Sequence, residues 1–67
     1  MRRRPVNSSS VRSVGWSEGT LELEYVNGST YQYYDVPQPT YAALLAAPSI
    51  GAYVNAHIKP YYDYREL

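Results

Sequence analysis

Thr20-Leu21-Glu22-Leu23-Glu24-Tyr25-Val26-Asn27-Gly28-Ser29-Thr30-Tyr31-Gln32-Tyr33-Tyr34 is the stretch on which the fold turns. Leu21, Leu23 and Tyr25 alternate with Glu22 and Glu24, the two-residue period of a half-buried antiparallel strand. Thr30 to Tyr34 form a second strand with Tyr31 and Tyr33 on one face, and Asn27-Gly28 between the two is a strong hairpin signal. Directly opposed residues share a face, so Leu21 and Leu23 must meet Tyr33 and Tyr31 if all four are core. Paired numbers then sum to 54, whereas a two-residue Asn27-Gly28 loop gives 55 and sets Leu23 against Gln32. A three-residue loop, Val26-Asn27-Gly28 with Gly28 left-handed, restores 54 and is the expected register. Tyr31 and Tyr33 are thereby expected inside, with Glu22, Glu24, Gln32 and Tyr34 facing water.

Upstream, Ser10 to Trp16 read as a weaker strand. Val11 and Val14 have opposite parity, so a bulge near Ser13 or Gly15 is needed to turn both inward. Ser17-Glu18-Gly19 reads as the turn into the next strand. Downstream, Val36-Pro37-Gln38-Pro39 ends the sheet. Tyr41, Leu44 and Leu45 follow at helical spacing among alanines, and Pro48 stops that helix. Ser49 caps a second helix whose apolar face is Ile50, Tyr53, Val54 and Ile58, closed by Pro60. Tyr61 to Leu67 show no readable period. The expectation is α+β: a three-stranded antiparallel meander followed by two short helices on one sheet face (βββαα). Residues 1–8 form a basic flexible arm and residues 9–67 a single domain.

A chain of 67 residues buries little surface, and its apolar residues include nine tyrosines, six alanines and no phenylalanine. Several tyrosines must therefore be structural. With no cysteine there is no disulfide and no cysteine zinc site, which favours a reducing, cytoplasmic setting. No apolar leader follows the first arginines, and the run from Tyr41 to Ala47 is too short to span a bilayer. Net charge is zero but uneven: Arg2, Arg3, Arg4 and Arg12 give residues 1–12 a charge of +4, balanced by −4 beyond.

From Ser9 to Leu67 the chain resembles the KTSC domain, a small bacterial family. The residues that carry the likeness are Ser8-Ser9-Ser10, Val14-Gly15-Trp16, Leu21, Leu23, Gly28 and Tyr31-Gln32-Tyr33. Further on they are Val36-Pro37, Tyr41, Leu44, Ser49-Ile50-Gly51, Tyr53-Val54-Asn55, Ile58-Lys59 and Tyr62. Trp16 stands where the family usually has tyrosine, and Tyr25 where it has phenylalanine. The family takes its name from its place at the C-terminus of some lysyl-tRNA synthetases. The resemblance implies RNA binding through that association, and brings with it no activity and no binding residues.

The residues themselves offer three binding features. Arg2, Arg3, Arg4 and Arg12 can neutralise phosphates. The amides at Ser49 and Gly51 open a helix, where anions are attracted. Lys59, Tyr61, Tyr62, Tyr64 and Arg65 interleave cations with rings, as stacking surfaces do. Each has a plainer counterpart: a solvated terminus, an ordinary cap, and a tail folded over a small core. Catalysis is poorly served, because His57 is the only histidine and lacks an acidic or sulfur partner within a turn. Glu22 and Glu24 lie about 7 Å apart by strand rise, but nothing in the sequence builds a pocket around that flat, wet face. The expectation is a non-catalytic domain without metal or cofactor, binding RNA of the tRNA class. The alternative is a protein-interaction module using a sheet edge, with Tyr34 and Val26 as contacts.

Overall fold

A computed structural model describes all 67 residues. It confirms an α+β fold and enlarges the sheet. Five strands lie in sequence order, each antiparallel to its neighbour: β1 (Arg4–Pro5), β2 (Val11–Ser17), β3 (Thr20–Tyr25), β4 (Thr30–Tyr33) and β5 (Tyr64–Glu66). Helix α1 (Gln38–Ala46) and helix α2 (Ile50–Tyr53) intervene between β4 and β5, and α2 continues as a π-helical turn over Val54–Ile58. The expected three strands are the central three of five. The tail with no readable period supplies β5, and Arg4–Pro5 within the expected arm supplies β1.

The central register is the one that parity requires. Leu21 opposes Tyr33 and Leu23 opposes Tyr31. In the loop, Tyr25 N donates to Ser29 O (2.8 Å) and Gly28 N to Tyr25 O (3.0 Å), with Gly28 at φ 93°. Those bonds make the three-residue turn that glycine closes without a Cβ penalty. Between β2 and β3 the register shifts between Val11 and Ser13, so Val11 and Val14 are both fully buried.

The core is aliphatic at its centre: Val11, Val14, Leu21, Leu23, Val36, Leu44, Ile50, Val54 and Ile58, with Tyr33 beside them. Pro39 sits in the first turn of α1, and Leu44 is that helix's buried residue. Ile50, Val54 and Ile58 anchor the second helix. Trp16 fastens β2 to the chain entering α1, its indole N–H donating to Val36 O at 2.8 Å and its ring stacking on Tyr41.

The opposite sheet face is less wet than expected. Glu22 is only 7% exposed, because Arg3 crosses over Gly15 to reach it. The Arg3 guanidinium meets the Glu22 carboxylate at 2.5 Å, and Gln32 Nε2 donates to the same carboxylate at 2.9 Å. Ser13 donates to Glu24, and Tyr34 donates to Gln32. A buried charge is tolerated only when paired and hydrogen-bonded, and Glu22 is both.

Candidate functional site: a tyrosine groove

On the helix side of the sheet, beside the Val26–Gly28 loop, lies a groove of ≈ 590 Å3. Antiparallel pairing builds it. Tyr33 opposes Tyr64 across β4 and β5, Tyr31 is two residues along β4, and Tyr25 ends β3. All four rings line the groove, joined by Lys59 just after the π-helical turn and by Ser10 and Ser29.

The rings form a connected cluster. Tyr25 meets Tyr31 edge-on at 5.5 Å, and Tyr31 meets Tyr64 at 5.8 Å. Tyr33 packs against Tyr31 and Tyr64 at 6.4 and 5.9 Å. The Lys59 ammonium stands 5.6 Å over the Tyr25 ring, within cation–π range. Tyr25 and Tyr33 share a hydroxyl–hydroxyl hydrogen bond of 3.2 Å, and Tyr31 OH donates to Glu66 at 3.3 Å.

These surroundings hold three phenols above the ordinary tyrosine value. For Tyr33 and Tyr25 the main cause is burial; their shared hydrogen bond pushes Tyr33 further up and partly offsets the rise at Tyr25. For Tyr31 the main cause is the neighbouring Glu66 carboxylate. The three therefore stay neutral through physiological pH, and Lys59 is the one charged side chain among the lining residues.

Of the residues singled out from the sequence, Lys59 and Tyr64 meet here. Tyr64 is 62% exposed, so its ring offers a free face. Tyr61 is 72% exposed and lies outside the groove, while Tyr62 packs against the core. The arginines are scattered. Arg3 is held by Glu22, and Arg12 donates to Val26 O at 3.2 Å with Glu24 4.0 Å away. Arg4 lies on the edge strand farthest from β5, Arg2 is exposed, and Arg65 opposes Gln32 on the other sheet face. The Ser49 hydroxyl accepts from Ala52 N at 3.2 Å, as a cap does. Gly51 faces the Ser10 hydroxyl so closely that a Cβ would collide with it, which makes room for Ser8–Ser10 to cross the helix.

Ser10, Tyr25, Asn27 and Ser29 are not put forward for binding from the sequence, and Tyr31 and Tyr33, whose paired rings invite a base-stacking reading, are assigned to the core instead. The expected inward pair divides: Tyr33 is 3% exposed and belongs to the core, while Tyr31 is half-buried and forms a groove wall. The available signal was position, since Tyr25 and Tyr31 are the inward residues nearest the hairpin loop.

Residues 7–62 match the family model described as the KTSC domain. The chain belongs to the KTSC domain family. A crystal structure of a KTSC domain protein from Yersinia pestis superposes with a TM-score of 0.91 at 32% identity, covering 98% of this chain and 96% of that one. A protein of Tsukamurella paurometabola is 42% identical over 59 residues, which are 85% of this chain and 88% of that protein. A lysine–tRNA ligase of a Nostoc species is 42% identical over 48 residues, 72% of this chain but 9% of the ligase. No helix is long and apolar enough to cross a membrane.

Proposed function

We propose that this KTSC domain is a non-catalytic binding module for single-stranded RNA of the tRNA class, and that it takes the strand at the tyrosine groove. The reading rests on one observation: Lys59 and the rings of Tyr25, Tyr31 and Tyr64 share one open groove. Aromatic faces stack bases of any identity, and a nearby cation holds the backbone. The likeness to a segment of lysine–tRNA ligases supports the choice of RNA class. Arg3 and Arg12 are engaged with Glu22 and Glu24, so they contribute less than a free basic arm would. Arg2, Arg4, Arg65 and Tyr61 lie outside the groove and add secondary contacts only, while Tyr62, Ser49 and Gly51 are taken up by the core, the cap and the Ser10 crossing.

Fluorescence anisotropy with bulk tRNA over a salt series tests this. Binding is expected at low salt, with a shallow slope near −0.7 per phosphate neutralised, reflecting about one or two contacts. Tyr64→Ala should cost about 1–3 kcal/mol, the worth of one stacked base. Flat titrations at low salt overturn the reading. One observation favours a protein partner instead: β5 is an edge strand exposed along all three residues, which suits strand addition. A strand added at β5 pairs through the backbone, so binding of such a protein partner would survive both high salt and Tyr64→Ala.

A further inference from the structure

We infer that the groove recognises a single unpaired nucleotide, its base lying on Tyr31 and Tyr64 and its phosphate at Lys59. This rests on the RNA reading and narrows it to one unit of the strand.

Size is the first argument. A groove of ≈ 590 Å3 falls within the range of about 300–1,000 Å3 that small-molecule sites occupy, and a duplex does not enter it. The second argument is the order of groups along it. Lys59 stands over Tyr25, Tyr25 abuts Tyr31, and Tyr31 abuts Tyr64, with each step between 5.5 and 5.8 Å. The cation is thus separated from the stacking faces by one ring. A nucleotide has the matching layout, an anion set apart from a flat base by one sugar. Charge supplies the third. Lys59 is the only charged group in the lining, and the Ser10 and Ser29 hydroxyls that share the groove are able to donate to phosphate oxygens. At the other end Glu66 accepts from Tyr31 OH, so a carboxylate stands beside the stacking faces and disfavours an anion there. The ligand is therefore oriented, phosphate towards α2 and base towards β5.

The test uses amide-resolved NMR titration of the full chain with 5′-mononucleotides and with the matching nucleosides. Mononucleotides should shift Ser10, Tyr31, Lys59 and Tyr64 saturably and bind about tenfold more tightly than nucleosides, the worth of one charge-assisted hydrogen bond. Lys59→Gln should bring nucleotide affinity down to the nucleoside level without moving the nucleoside. Tyr64→Ala should weaken both, and its spectrum reports whether the fold persists. Equal binding of nucleotide and nucleoside, or shifts centred away from the groove, overturns the inference. If tRNA or an oligonucleotide shifts the groove while every mononucleotide is silent, this inference falls and the RNA reading stands. If tRNA is silent as well, both fall.

Discussion

Tyr33 and Glu22 show how neighbouring positions on two central strands come to differ. Each is nearly buried, yet one is held by rings and the other by charges. Removing Arg3 leaves Glu22 without its cation while Gln32 still donates to it. Because the pair is partly open to water, Arg3→Ala should cost about 1–3 kcal/mol rather than the full penalty of a buried pair. Arg3→Ala combined with Glu22→Gln should cost less than the two changes summed, and urea denaturation of the four proteins measures the coupling. The core responds differently. Leu23→Lys should unfold the domain, whereas Gln32→Lys, on the opposite face and beside Glu22, should change stability by less than about 1 kcal/mol. Circular dichroism melts separate these outcomes, and the reverse order would invert the two faces. The raised tyrosines add a pH dependence. A folded-state pKa above the unfolded value near 10 contributes stability that is complete below about pH 10 and lost as pH rises further. The melting temperature should therefore hold between pH 7 and 9 and fall beyond pH 10.

Among the elements, the β3–β4 hairpin was legible because every cue for it is local. Alternation, Asn27-Gly28 and parity all lie within fifteen residues of one another. The two helices were legible for similar reasons, through Pro39, Pro48, Ser49 and the spacing of Ile50, Val54 and Ile58. The outer strands were not. β1 is two residues, one of them a proline, and β5 is three residues from a run without alternation. Both exist because an edge of the sheet was open to them, a long-range cause that leaves no periodic trace. The groove went unread with them, since Tyr64 joins Tyr31 and Tyr33 only once β5 is in place. One element prediction follows from the cap. Ser49→Ala should lower stability by about 0.5–2 kcal/mol, through loss of the bond to Ala52 N, and leave nucleotide binding unchanged.

For the whole molecule, the two sheet faces divide the work. One face spends its cations on Glu22 and Glu24, and the other presents tyrosines with a single ammonium. RNA affinity should consequently depend more on Lys59→Gln than on replacing Arg2 and Arg4 together with alanine, as anisotropy at low salt will show. That ammonium owes its aim to the wide turn before it, where Lys59 N bonds to Val54 O five residues back. A turn of this kind holds one residue more than an ordinary helical turn and shifts everything after it by about 100°. Spacing along the backbone, as much as side-chain identity, thus governs whether position 59 overhangs the aromatic floor. Ile58 and Lys59 follow that extra residue together, so a rewinding of this turn that carried the lysine off the groove would also carry Ile58 out of the core. Nucleotide affinity and stability should thus rise and fall together when this turn is altered.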